Sequence, residues 1–427
     1  MKSVKELGER IADPQVSGFD LSDDFEDIFS IELGTDDASE IHNCVMKSLG
    51  ARASTDPSFR QEIVDFELLK IMFRHNLSFI NPALIPGLAG TNRDIKMILH
   101  EVGITNQLLN EFVKQLTQSL ESPSSILYAA ITSLCTECAD NKKVFIQTNP
   151  SVVSSMMVPR LSAYVDFELL ALLLAIVADD DRSTSNPITM FVRETLVDSE
   201  ALPTVETMLD LHRAAAVTAE QKSTLLSLVR ELSLNQALCG IFAVVHEFLP
   251  WALELMVDSE CRVCALKYVR QISFADDLKD TTVREIFQKP EIIENLIEAG
   301  LGGKFGVATQ VFGILANLTL RRSEVAIQIL DNFPKTSDLI KFVLRTKQHS
   351  AATTQCLQFV RNIVKASSQH KDMIPSDIFV GISANASDKT IKRICEEILH
   401  STAHTASYSR FVYCKYVHSP SQNAYIH

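Results

Sequence analysis

A four-position apolar template recurs along the chain. Counting back three, four and seven residues from Leu318 meets Leu315, Ile314 and Val311. The same steps from Ile363 meet Val360, Phe359 and Cys356, and from Ile272 they meet Val269, Tyr268 and Ala265. Leu232 gives Val229, Leu228 and Leu225; Ile176 gives Leu173, Leu172 and Leu169. Leu134 gives Ile131, Ala130 and Leu127, and Ile398 gives Cys395, Ile394 and Ile391. Positions three, four and seven apart share one side of an α-helix, so seven helices with a single apolar face are predicted.

The anchors at 134, 176, 232, 272, 318, 363 and 398 are spaced by 42, 56, 40, 46, 45 and 35 residues. Helical repeats of armadillo and HEAT type recur at roughly 40–47 residues, so 56 implies an insertion and 35 a shortened last unit. After Arg322, SEVAIQILDNF reads as a short helix ended by Pro334. TSDLIKFVLRTKQ reads as a second, with Thr336 or Ser337 as N-cap, and SAATTQCLQFVRNIVKAS as a long third. The preceding period repeats the order, with Gly300, Gly302 and Gly303 stopping its second helix. Three helices per unit is the armadillo plan; HEAT units have two. The expected fold is all-α: a right-handed α-solenoid of about seven armadillo-type three-helix repeats over 104–407. Residues 39–103 are expected to form an atypical helical cap, 1–38 a disordered acidic tail, and 408–427 an irregular tail.

Composition narrows the classes. At 427 residues the chain exceeds one compact core. Of its net charge of −13, residues 1–43 hold −9, from twelve acidic and three basic side chains. No basic stripe follows, which argues against nucleic acid as partner. No stretch reaches about 18 apolar residues, so no membrane span is expected. Nine cysteines and the opening MKSVKELGERIADP, without an apolar signal core, suggest a cytoplasmic and also nuclear protein with reduced thiols.

With the apolar face packed inward, positions eight, five and one before each anchor, and two after it, form the opposite stripe. These are Gln355, Gln358, Asn362 and Lys365, then Gln310, Gly313, Asn317 and Leu320. Earlier units contribute Cys264, Lys267, Gln271 and Phe274, then Thr224, Ser227, Glu231 and Leu234. Arg230, Arg270 and Arg361 sit beside this stripe and favour an acidic partner.

Segments 178–197, 265–283, 311–330 and 356–369, with LANLT and VRNIV inside the last two, resemble the armadillo-repeat superfamily. The resemblance implies that third helices line a concave groove, where an asparagine just before the anchor holds an extended partner's backbone. Asn317 and Asn362 match that position, and Gln271 could substitute. Glu231, Ala175 and Ser133 depart from it. A carboxamide both donates and accepts, so it can pair with a peptide C=O and N–H together. A Trp array like that of importin-alpha is not available, since Trp251 is the single tryptophan. Expected binding residues are therefore Asn317, Asn362, Gln271, Arg270, Arg361, Gln358, Gln310, Lys267, Glu231 and Arg230.

No catalytic, metal or cofactor site is expected. Cys135–Cys138 and Cys261–Cys264 lie 126 residues apart and read as core positions. Asp179 to Asp181, and Asp276 with Asp277, suit helix N-termini. The expected partners are other proteins, through extended or acidic segments, and not nucleic acid, membrane or a small-molecule substrate. The alternative is a rigid subunit of a larger complex that uses its outer surface. The acidic-apolar run 19–33 is a further candidate, as a docking motif or as an internal occupant of the groove.

Overall fold

The computed structural model describes residues 4–30, 35–75, 80–90, 92–118, 124–148, 151–178, 186–275, 278–302, 305–346, 350–366 and 376–402. The expected tail at 408–427, Asp179–Asp181, Asp276, Asp277 and Gly303 lie outside them. Among the described residues there are helices and no strand. They divide into two compact units, Met1–Leu234 and Asn235–His427.

The first unit repeats one three-helix order five times. The triplets begin with α1 (Val4–Ala12), α2 (Gly18–Phe29) and α3 (Thr35–Thr55), then α4 (Pro57–Asp65), α5 (Leu68–Met72) and α6 (Ile85–Ala89). Next come α7 (Arg93–Glu101), α8 (Ile104–Gln118) and α9 (Ser125–Cys135). A fourth set is α10 (Ala139–Thr148), α11 (Val158–Ala163, after a π-helical turn) and α12 (Phe167–Val177). The last is α13 (Pro187–Leu196), α14 (Leu202–Ala215) and α15 (Ala219–Leu232). The third helices α3, α6, α9, α12 and α15 pack in succession.

The second unit continues the order. It holds α16 (Gln236–Gly240), α17 (Phe248–Leu255) and α18 (Arg262–Phe274), then α19 (Lys279–Gln288), α20 (Pro290–Leu301) and α21 (Phe305–Thr319). These are followed by α22 (Ser323–Asn332), α23 (Lys335–Thr346) and α24 (Ser350–Ala366), and by a closing pair, α25 (Ser376–Asn385) and α26 (Lys389–Thr402). Here α18, α21, α24 and α26 pack side by side. All seven anchors lie on third helices or on the closing helix and are at most 1% exposed. Each such Leu or Ile contributes roughly 1.5–3 kcal/mol by leaving water. Thr336 and Ser337 are not caps: α23 starts at Lys335, directly after Pro334, and Thr336 is buried within its first turn.

The acidic N-terminus is folded where disorder was expected. Its charges, Asp24 excepted, occupy the outer sides of α1 and α2, while Leu7, Ile11, Leu21, Phe25, Ile28 and Phe29 form apolar faces at helical spacing. Those faces are covered by α3, α4 and α5. Arg52 reaches from α3 to the carbonyls of Ile11 (3.2 Å) and Val16 (2.8 Å), with its guanidinium 3.8 Å from the Phe59 ring centre. Buried Asp24 is paired with Arg10. Gly18 lets α2 lie on α4, because a Cβ there would come within 2.7 Å of the Phe66 ring. Residues 4–30 are thus the first layer of the stack, and the run 19–33 cannot serve as an extended internal ligand while Gly18–Phe29 holds this helix.

Successive triplets of the first unit are tied by polar side chains as well. Tyr128 on α9 donates to the Asp166 carboxylate (3.2 Å), which caps α12. The Asp166 backbone N–H donates to His212 Nε2 on α14 (3.1 Å), and His212 Nδ1 lies 2.8 Å from the Met208 carbonyl. One ring nitrogen accepts and the other donates, so His212 is neutral, and its burial holds its pKa below the ordinary histidine value. A depressed folded pKa means the unfolded chain takes up the proton more readily. The stabilisation is complete above about pH 6.5 and is lost as pH falls through the folded value. Thermal melting of the wild type is expected to weaken on going from pH 7.5 to 5.5, and His212→Gln to flatten that slope. An identical slope in the variant would remove His212 from the account.

Candidate functional site

The polar stripe of the second unit lies along α18, α21, α24 and α26. Its asparagines do something the sequence did not announce. Asn317 Nδ2 donates to the Arg270 carbonyl (3.1 Å) and the Ser273 hydroxyl (3.1 Å) on the preceding third helix. Asn362 Nδ2 donates to the Ala316 carbonyl (2.9 Å) and the Thr319 hydroxyl (3.2 Å). Relative to the anchors the two sets are equivalent: two before, and one after, Ile272 and Leu318. A carbonyl can only accept, so the amide nitrogen must face inward. Each carboxamide therefore clamps two helices with its donors and keeps Oδ1 as its remaining polar atom.

Arg270 crosses the seam beside the first clamp and donates to Gln310 Oε1 at 3.2 Å. Gly313 makes that path possible, since a Cβ there would sit 2.3 Å from Arg270 Nε. Gln271, Lys267 and Gln358 are half-buried on the same stripe. Arg361 Nη1 lies 3.6 Å from Glu397 Oε2 on α26. Phe274 (67% exposed) and Leu320 (37% exposed) occupy the equivalent position two residues after successive anchors. They add an apolar edge to a cationic and amide-lined strip.

Glu231 and Arg230 belong to the first unit and are differently arranged. Glu231 is buried, with one carboxylate oxygen 2.9 Å from Arg193 Nη2 and the other paired with Arg230. Arg193 Nε also caps the Val177 carbonyl at the end of α12 (2.9 Å). A carboxylate has no donor for a neighbouring carbonyl, so this ladder position recruits arginines instead. Both Glu231 oxygens are thereby committed to internal partners.

Sequence reasoning overlooked Glu397, Ser273 and Thr319. Glu397 was signalled by its place one residue before Ile398, the ladder position of the last unit. The two hydroxyls follow their anchors directly and face the next helix.

Little else gathers into a chemical site. Cys135, Cys138 and Cys261 are buried and Cys264 is half-buried. Burial pushes the Cys138 thiol pKa up. Among the described residues no group of three or more His, Cys, Asp or Glu side chains is placed to hold a metal ion. No single helix among them is long and apolar enough to cross a membrane. A surface cavity of about 260 Å³ is lined by Met256, Val257, Arg262, Val263, Asn295 and Glu298. Its charged groups are already used: Arg262 binds the Met256 and Val257 carbonyls, and Glu298 pairs with Lys335 at 2.8 Å.

No family model and no curated protein matches the chain. Solved structures do. An engineered protein from a structural-genomics consortium superposes with a TM-score of 0.57 at 15% identity, covering 94% of this chain and 99% of that one. A chain from a study of a phosphorylation switch in the cadherin–β-catenin interaction gives 0.53 at 12% identity, covering 95% and 83%. The fold is accordingly an all-α, armadillo-like helical solenoid.

The clamp is testable by itself. Asn317→Ala is expected to cost roughly 0.5–1.5 kcal/mol, by losing its bonds to the Arg270 carbonyl and the Ser273 hydroxyl, which keep their own bond to each other (2.7 Å). Asn317→Asp should cost at least as much, because it sets an acceptor against an acceptor. Denaturant unfolding of both variants measures this, and wild-type stability in Asn317→Asp would contradict the clamp.

Proposed function

We propose that this protein is a non-catalytic scaffold that holds an extended, acidic segment of another protein along α18, α21, α24 and α26. The observation that carries the reading is the strip itself. It combines Lys267, Arg270 and Arg361, the half-buried carboxamides of Asn317 and Asn362, and the exposed apolar edge of Phe274 and Leu320. Gln271, Gln310 and Gln358 supply further polar contacts. With both amide hydrogens of each asparagine committed to the neighbouring helix, the partner's backbone N–H groups meet Oδ1 and its carboxylates meet the cations. Partner carbonyls have no asparagine donor here. This narrows the backbone-holding role that the armadillo resemblance implied.

Two likenesses support the reading. One solved neighbour comes from work on a cadherin–β-catenin interaction. The resemblance we propose for segments 178–197, 265–283, 311–330 and 356–369, to armadillo repeat-containing protein six, implies a scaffold of poorly defined role and strengthens the fold more than the function. Cytoplasm and nucleus suit it, because Cys138 and Cys356 serve as buried core groups and need reduced thiols.

A second reading, a rigid subunit docking by its outer surface, has its own observation. In the first unit Tyr164 (64% exposed), Val165 (46%) and Val217 (75%) stand on the turns before α12 and α15.

Affinity purification with mass spectrometry separates the two. Asparagine variants are unsuitable, since they also release the clamp. Lys267→Glu/Gln358→Glu is expected to lose specific partners, by about tenfold or more, at unchanged melting temperature. If every partner persists and Tyr164→Ser/Val217→Ser removes them, the outer surface is the binding face and the groove reading is wrong.

A further inference from the structure

Glu397 stands at the ladder position of α26, where the two preceding repeats carry Asn362 and Asn317. The asparagines clamp carbonyls. Glu397 instead collects cations: its Oε2 lies 3.5 Å from Lys365 Nζ and 3.6 Å from Arg361 Nη1, and its Oε1 3.9 Å from Arg393 Nε. One carboxylate thus faces three positive side chains. The Arg361 Nε is buried without an acceptor. All three separations are longer than the roughly 2.7–2.9 Å of a strong charge-assisted hydrogen bond. Lys365 is 58% exposed and Arg393 70%, so water competes for both.

The cluster is a loosely filled anion site at one end of the proposed groove. We propose that Glu397 is a displaceable internal stand-in for a carboxylate of the bound partner, whose aspartate or glutamate docks on Arg361 and Lys365 as Glu397 withdraws. This rests on the groove reading above and adds the element that sets its affinity. Charge complementarity selects the occupant, because Lys267 and Arg270 extend the same sign along the stripe. The chain's own acidic run is committed, with Leu21, Phe25 and Phe29 of α2 buried in the first unit. Residues 403–427 contain Arg410 and Lys415 but no Asp or Glu, so they do not complement the site. The charge of the site therefore fits an acidic segment of another protein.

The stand-in makes a prediction of unusual sign. Removing the charge of a structural ion-pair residue weakens a protein, whereas removing that of an internal competitor strengthens binding. The probe is a fluorescein-labelled dodecapeptide of alternating Glu and Leu, titrated against the full chain by anisotropy, with a Lys–Leu peptide as charge control. Glu397→Gln is expected to bind the acidic probe about three- to tenfold more tightly, with the gain shrinking from 0.05 M to about 0.5 M salt. Lys365→Ala, at an exposed position, should weaken binding by a few-fold. Adding Glu397→Gln to Arg361→Ala/Lys365→Ala should change nothing. Circular dichroism and melting establish that each variant is folded. If Glu397→Gln binds no better than wild type while Lys267→Glu and Lys365→Ala still lose the probe, the stand-in is overturned and the groove stands. If the acidic probe binds no better than the Lys–Leu control, both are overturned.

Discussion

Each third helix carries one apolar stripe at positions 0, −3, −4 and −7 from its anchor, and it can hide that stripe only against neighbouring helices. Everything else in the two units follows from this constraint. Helix length, the placement of Pro334 and the Lys289–Pro290 junction, and the recurrence near 45 residues all return the chain to the same packing position. Close packing leaves polar groups at the seam between successive third helices, notably carbonyls near the helix ends. Those carbonyls need donors. Asn317 and Asn362 supply them in the second unit, and Arg193 does so for Val177 in the first.

Function grows out of the same seam. The residue before the anchor is half-buried in α18, α21, α24 and α26, where it answers the neighbouring helix and keeps part of its surface exposed, and is buried at Glu231. Asparagine spends its donors across the seam and keeps Oδ1 as its remaining polar atom. Glutamate cannot bond a carbonyl, so it gathers cations: tightly at Glu231, with buried oxygens between Arg193 and Arg230, and loosely at Glu397. The same ladder position therefore gives a closed internal ion pair in one repeat and an open cationic cluster in another. Burial decides which.

Much of the fold was legible because residues three, four and seven apart point the same way only in a helix. The seven anchors are found on helices, the short–medium–long order is found in the α19–α21 and α22–α24 triplets it was read from, and helices break at Pro290 and Pro334. The two N-terminal triplets were not legible, for reasons visible in their third helices. In α3 the position seven before Leu49 is His42, a buried polar side chain stacked near Phe29 and Phe73. The helix α6 is only five residues long, following the 3-10 turn Pro82–Leu84, with Pro86 in its first turn and Gly90 at its end. The acidic surface of α2 hid the apolar face beneath it, since net charge reports the outside of a helix and not its buried side. At the site, residue positions could be read from the period, but the direction of each amide could not. Direction depends on which carbonyl lies across the seam, and that is a property of packing.

The proposed function places an extended acidic partner along the α18–α21–α24 ladder. Its most direct test is photo-crosslinking from benzoylphenylalanine placed at Gln358, with the same group at Tyr164 for comparison. Crosslinks are expected from position 358 to acidic peptides of bound proteins, competed by the Glu–Leu dodecapeptide. Crosslinks from position 164 alone, with none from 358, would contradict it.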